Sequence, residues 1–344
     1  MINKEYFSPD NCHDRLLARA PLLRYSEDRD FEPWREEVRA KLKELIGDEP
    51  ERVPINVQIE WKREEESFTE YRFVYDSEPE TSVPAHLLIP CGVKTPCPVV
   101  ICLQGHSTGM HISLARPIYD KDEGAIAGGD RDFAMQIVKE GYAALVIEQR
   151  AFGERISQRI IDHNPYYRTT CYLPAMAASL MGRTLIGERV WDISRAIDAL
   201  SEFPEIDTER IGCMGNSGGG TATYYAACLD ERIKIAMPSC AVCSFSKSIG
   251  TLYHCACNYI PGIGKYVDMG DLAALIAPRK LIVVAGAKDT GFLLPGVESE
   301  YEVIKSIYKR AGCSDSCELV VGPEGHRFYA DPSWSIFARL SGWK

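Results

Sequence analysis

The hydrophobic positions of this chain change their period twice. Over residues 1–50, Trp34, Val38, Leu42 and Leu45 recur at three- and four-residue spacing, with Pro33 near the start and Gly47 at the end. This pattern predicts a helical N-terminal extension. From Val53 to Pro90 the apolar residues alternate with polar ones: Ile55, Val57, Ile59 and Trp61, then Tyr71, Phe73 and Tyr75, then Ala85, Leu87 and Ile89. A period of two predicts half-buried strands at an antiparallel edge. From Pro98 onward the apolar runs become continuous, at 99–103, 143–147, 211–214, 233–237, 281–285 and 319–321. Strands buried on both faces have this composition, and helix-length segments at 131–140, 189–203, 221–229, 298–311 and 332–340 separate them. The expected fold class is α/β: a mostly parallel, twisted sheet flanked by helices. Residues 51–344 form one domain behind the 1–50 extension.

Two connections, 106–130 and 150–187, are too long for simple turns. Loops beyond about 15 residues are usually functional or carry structure of their own. Both leave the C-terminal ends of predicted parallel strands, where open α/β sheets bind ligands.

Charge and cysteine content narrow the setting. A formal net charge of −10 over 344 residues disfavours nucleic acid and anionic membrane surfaces as partners. The N-terminus lacks the apolar core of a signal peptide, and no run of about 18 apolar residues occurs, so a cytoplasmic protein is expected. Thirteen cysteines are an odd number spread through predicted strands and helices, which suits reduced, buried thiols. Cys240-x-x-Cys243 with Cys255-x-Cys257 comes nearest to a metal-binding pattern. A C-x-C arm suits structural zinc poorly and the surroundings are apolar, so packing is expected there, with no metal and no cofactor.

The chemistry centres on Gly215-Asn216-Ser217-Gly218-Gly219, a G-x-S-x-G between a predicted strand and an Ala-rich helix. A serine on such a sharp turn has its Oγ lifted clear of the sheet, and its neighbours must lack a Cβ. The hydroxyl needs a base, and the base needs an orienting carboxylate. At such a turn the order along the chain is serine, acid, histidine, each just past a strand. Asp289 follows the run 281–285, and His326 follows 319–321. Asp268 and Asp271 precede their strand, Glu298 belongs to the next helix, and Glu324 is too near His326 in sequence to orient it. The expected triad is therefore Ser217, Asp289 and His326. His13, His86, His163 and His254 read as structural. The oxyanion donors expected are the backbone N–H groups of Gly218 and His106, with Gln104 supporting the loop that carries His106. Arg150 reads as a clamp on the surrounding loops through a bidentate carboxylate pair.

These residues resemble a known family. Phe31-Glu-Pro-Trp34, Ser82-Val-Pro-Ala-His-Leu-Leu-Ile-Pro90, Cys102-Leu-Gln-Gly-His106, Glu148-Gln-Arg150 with Phe152-Gly-Glu-Arg155, Val190-Trp-Asp-Ile-Ser-Arg-Ala-Ile-Asp198, the serine turn, Ile276-Ala-Pro-Arg279 and Gly325-His-Arg-Phe328 are similar to the acetyl xylan esterase and dienelactone hydrolase-like branch of the α/β-hydrolase superfamily. The likeness runs from about Phe31 to Phe337. It implies an α/β-hydrolase fold and a serine esterase acting on acyl esters, often acetyl groups on carbohydrates. The chain departs from the better-known members at Arg150-Ala151-Phe152, where they carry Arg-Gly-Gln, and at Arg327, where they carry Glu.

The expected function is a serine-dependent carboxylic ester hydrolase acting on a small-molecule ester. An acyltransferase or peptidase on the same triad is the alternative, and a homo-oligomer is left open. The pocket should be built by 106–130, 150–187 and 241–269, where Tyr166, Tyr167, Tyr172, Tyr253 and Tyr259 are candidates to stack on a ring or simply to pack.

Overall fold

The structure is a computed structural model that describes residues 4–163 and 170–343. Helix α1 (Asp10–Leu17) buries no residue, whereas α2 (Phe31–Ile46) buries Phe31, Trp34, Val38, Leu42 and Ile46. That stripe joins the same hydrophobic cluster as one face of the sheet. The apolar spacing therefore does more than form a helix: it makes α2 part of the core.

The alternating segment folds into β1 (Gln58–Glu64), β2 (Phe68–Glu78) and β3 (Thr81–Pro90), an antiparallel series. The continuous runs become β4 (Cys97–Leu103), β5 (Ala143–Ile147), β6 (Ile206–Asn216), β7 (Ile233–Ser239), β8 (Lys280–Gly286) and β9 (Cys317–Gly322). They assemble into a nine-stranded sheet of order β1-β2-β3-β5-β4-β6-β7-β8-β9. It is antiparallel as far as the β3–β5 pair and parallel beyond it. In β4 the side chains of Val99, Ile101 and Leu103 enter one hydrophobic cluster, and those of Val100 and Cys102 enter the other. Continuous apolarity thus means burial on both faces, as a parallel sheet requires.

The two long connections carry helices of their own: α3 (Asp120–Gly129) in the first, and α5 (Gln158–His163) and α6 (Tyr172–Leu180) in the second; α4 (Phe133–Lys139) lies between the two connections. Hydrophobic spacing does not announce α3, because polar contacts hold it. The Asp122 carboxylate accepts the backbone N–H groups of Ile118 and Tyr119 and bonds to Thr108 and His111. The remaining helices, α7 (Leu185–Ala199), α8 (Gly218–Leu229), α9 (Leu294–Arg310) and α10 (Ala330–Ser341), lie where the sequence pattern expects helices.

Buried carboxylates fix the loops that leave the strand ends. Asp192 on α7 accepts two bonds from Arg150, at 2.8 and 2.9 Å, and one from Arg155 at 2.7 Å. Burial opposes its ionisation, but the two arginines overcome this and hold it at about 2. Glu148, just past β5, accepts backbone N–H groups from Met110 and Glu154, so it binds the first connection to the second. Burial pushes Glu148 up to about 7 against the lowering effect of those amides.

The turn between β6 and α8 places Ser217. Its φ of +56° is a left-handed conformation rare for a side-chain-bearing residue. Its N–H donates to the Ser239 carbonyl of β7 at 2.8 Å, which ties the turn to the neighbouring strand. A Cβ on Gly219 would lie 2.1 Å from the Leu103 carbonyl oxygen and 2.6 Å from that of Gln104. A Cβ on Gly215 would lie 2.6 Å from Gly219 backbone atoms. The start of α8 therefore rests directly on the end of β4, with room for glycine alone.

Two outcomes follow from these contacts. Gly219→Ala should destabilise the fold by about 1–3 kcal/mol through overpacking, whereas Gly124→Ala on α3, where a Cβ meets nothing within 4 Å, should be neutral or stabilising by up to about 1 kcal/mol; urea midpoints of the two variants check this. For Glu148, the unfolded carboxyl titrates near about 4.3 and the folded one at about 7. The folded state binds the extra proton between those values, so native stability falls as pH rises through that window. Glu148→Gln lacks this loss, and its stability relative to wild type should improve by on the order of 2–3 kcal/mol between pH ~4.5 and ~8. Urea unfolding of both proteins across that range measures the difference, and a pH-independent difference would contradict it.

Candidate active site

Three strand ends converge on one cavity of about 810 Å³, lined by Ser217, Asp289 and His326 together. Asp289 follows β8 and is buried. Its Oδ1 accepts the backbone N–H groups of Gly291 at 2.8 Å and Phe292 at 3.2 Å, and its Oδ2 lies 2.8 Å from His326 Nδ1. Burial works against the charge, but the bond to His326 and the two amides outweigh it and hold the carboxyl below its usual value. An ionised carboxylate can only accept, so Nδ1 carries a proton, and in the neutral imidazole the lone pair is on Nε2. The Phe292 ring stacks on the imidazole, with planes 15° apart and centroids 5.9 Å apart, which fixes the ring's tilt. Asp289 and His326 are bonded to each other, and Ser217 lines the same cavity, each at the strand end where the sequence pattern puts it.

Gly218 opens α8 immediately after the nucleophile candidate, so its N–H belongs to the first turn of that helix. His106 lies in the loop after β4 and lines the cavity. Its ring covers Gly218: a Cβ there would sit 2.9 Å from His106 Cε1. Gln104 is buried behind this loop. Its Nε2 donates to Ser113 Oγ and the Arg131 carbonyl, each at 2.7 Å, and its backbone carbonyl accepts from Gln149 Nε2. Arg150 is not among the cavity-lining residues. It spans Asp192, Glu78 and Glu188, a clamp between the second connection, α7 and β2.

Some residues fall elsewhere than the sequence suggests. His254, expected to be structural, lines the cavity, with its Nε2 2.9 Å from the Gly291 carbonyl oxygen and its ring against Phe292. Among the described tyrosines, Tyr253 and Tyr119 line the cavity, while Tyr172 and Tyr259 are exposed and do not. Tyr166, Tyr167 and the side chain of His163 lie outside the described residues. His86 is bonded to Glu70, away from this cavity, and His13 is exposed on α1. The four-cysteine pattern of the third loop does not hold together as a group. Cys243 donates to the Lys247 and Leu293 carbonyls, and Cys240 packs behind the Asp289–His326 pair with its thiol on the Arg327 carbonyl. Cys255 and Cys257 instead meet His106 and Cys171. Sequence spacing within one loop could not show this, because the partners come from two other loops.

Comparison with known proteins agrees with this fold. The sequence pattern of the Abhydrolase family matches residues 12–221, ending just past the serine turn. A Bacillus subtilis (strain 168) protein named "Putative hydrolase YtaP" is 26% identical over 296 residues, covering 85% of this chain and 94% of that protein. Among solved structures, the Bacteroides fragilis NCTC 9343 protein titled "putative acetyl xylan esterase" superposes with a TM-score of 0.76 at 16% identity, over 97% of this chain and 84% of that one. A glucuronoyl esterase from Solibacter usitatus gives a TM-score of 0.69 at 16% identity, over 94% and 97% of the two chains. With the family pattern spanning more than half of the chain and the fold shared with these structures, the chain belongs to the Abhydrolase family and is an α/β-hydrolase.

Proposed function

We propose that this protein is a carboxylic ester hydrolase that works through an acyl-enzyme on Ser217, with short-chain acyl esters, including acetyl esters of carbohydrates, as substrates. The observation that carries this reading is the Asp289–His326 bond in the cavity that Ser217 enters from a strained turn. His326 Nε2 takes the proton from Ser217 Oγ as the oxygen attacks the ester carbonyl. Asp289 keeps the imidazole in the required tautomer and stabilises the imidazolium. The developing oxyanion is received by the backbone N–H groups of Gly218 and His106. His326 then returns the proton to the departing alcohol, and water, deprotonated by the same nitrogen, releases the acid.

Two features bear on the substrate. A cavity of about 810 Å³ is of the size that takes a ligand larger than a simple acyl group. Similar structures carry the names acetyl xylan esterase and glucuronoyl esterase. Of the departures from the acetyl xylan esterase pattern, Phe152 lines the cavity and packs edge-on against His106, whereas Arg327 is not among the lining residues and pairs with Asp130 at 2.6 Å. Both leave the Asp289–His326 pair intact.

A fluorophosphonate probe should label the wild-type protein at Ser217 and fail to label Ser217→Ala, as read by intact mass. Asp289→Asn should keep the fold and lose roughly 10⁴ in kcat on a p-nitrophenyl ester; near-normal turnover would place the acid elsewhere. Across esters of increasing acyl length, kcat/KM should be greatest for acetyl. Hydrolysis that is unaffected by added alcohol or amine acceptors is expected for a hydrolase, whereas transfer products would identify an acyltransferase.

A further inference from the structure

A second cluster of reactive side chains lies against the site and has no part in the acyl-transfer chemistry. His106 Nε2 and the sulfurs of Cys171, Cys255 and Cys257 all lie within 4.8 Å of one another, with His106 Nε2 3.1 Å from Cys257 Sγ. Three separate loops supply them. His106 follows β4, Cys171 immediately precedes α6, and between β7 and β8 Cys255 caps a short helical turn that contains Cys257. Cys171 and Cys257 are fully buried, and His106 and Cys255 are half-buried at the cavity wall.

We propose that His106, Cys171, Cys255 and Cys257 hold a tetrahedral Zn²⁺ ion that fastens the three pocket loops to one another beside Ser217. Three sulfurs and one imidazole nitrogen are a donor set of structural zinc sites. With Zn–S near about 2.3 Å and Zn–N near about 2.0–2.1 Å, a tetrahedron sets its ligand atoms roughly 3.5–3.8 Å apart, within the spread found here. The C-x-C arm, unpromising alone, supplies two sulfurs, and the other two ligands arrive from loops distant in sequence. Apolar packing of cysteines gives no reason for three thiols and an imidazole nitrogen to converge on one point.

A second observation points to the same ligand. Arg189 on α7 is 1% exposed, yet it carries a full positive charge toward this cluster. Its Nη2 donates to Cys171 Sγ at 3.3 Å, its guanidinium lies 4.2 Å from the Phe152 ring centroid, and its Nη1 is buried without a hydrogen-bond partner among the described residues. Zinc with three thiolates carries a net charge of minus one, and a buried arginine beside the sulfurs balances it. Four protein ligands complete the coordination, so the ion has a structural role and does not act on the ester.

The consequence for catalysis rests on the esterase reading above, while the metal itself does not. The His106 ring packs on Gly218, so ligation through Nε2 would lock the ring and the backbone N–H assigned to the oxyanion hole. Metal removal should therefore lower kcat more than it raises KM.

Metal analysis of the intact protein, purified under reducing conditions without chelator or added zinc, tests the proposal. About one zinc per chain is expected, or uptake to that level when zinc is supplied. Replacement by Co²⁺ should give thiolate-to-cobalt charge transfer and the visible bands of a tetrahedral site. Cys257→Ser and Cys171→Ser should lose both signals, and Cys243→Ser, outside the cluster, should keep them. The wild-type cobalt spectrum decides the matter even if a variant fails to fold. A reduced protein that takes up no metal, a spectrum without thiolate bands, or a disulfide joining two of these cysteines in the protein as isolated would overturn it. Bound zinc in a protein with no esterase activity would leave the metal site standing and remove the esterase reading.

Discussion

The contact on which the rest depends is the one between the first turn of α8 and the last carbonyls of β4. Gly219 sits where even a methyl group would collide with Leu103 and Gln104. That closeness does two things at once. It forces Ser217 into a left-handed conformation above the sheet, and it brings the loop after β4, with His106, against the residue that follows the serine. Everything functional in the molecule is then a matter of what is delivered to that point. β8 and β9 bring Asp289 and His326 from one side, and the long loops close over the other.

The sheet and the candidate site were legible in the sequence because each leaves a local signature. Buried parallel strands are continuous apolar runs, the strands of the antiparallel edge alternate, and a G-x-S-x-G turn sits at a strand end with an acid and a histidine following two later strands. Position along the chain encodes position in space when each group caps a strand of a known order. The loops lack such a rule. Helix α3 is held by Asp122 and its amide donors rather than by an apolar face. His254 looks like any loop histidine until Gly291 and Phe292 bring it to the cavity. Cys171 and His106 share no spacing pattern with Cys255 and Cys257, since 84 and 149 residues separate the first pair of positions, 171 and 106, from 255. Polar contacts between distant loops carry no periodicity, and periodicity is what a sequence displays.

Charge rather than apolar area organises the roof of the site. Glu148 holds Met110 and Glu154 together, and Asp192 holds Arg150 and Arg155. Each carboxylate is buried, and each connects loops to an element already fixed in the core. Arg189 extends this arrangement from α7 into the second connection through the Arg150 carbonyl. A pocket held by a few charge-assisted bonds can change its lining residues without disturbing the sheet beneath, which suits a fold whose similar structures carry the names of different esterases.

At the far edge of the sheet, β1 offers its unpaired side to solvent, and its residues are exposed almost throughout: Glu60, Lys62, Arg63 and Glu64 crowd a strand of seven residues. A free strand edge is a template on which another chain can extend the sheet. Here any incoming strand would have to line up against charges of both signs and a register irregularity between Ile59 and Trp61. That arrangement discourages edge-to-edge polymerisation, so among the described residues this edge of the sheet is closed by electrostatics and geometry rather than by a covering helix.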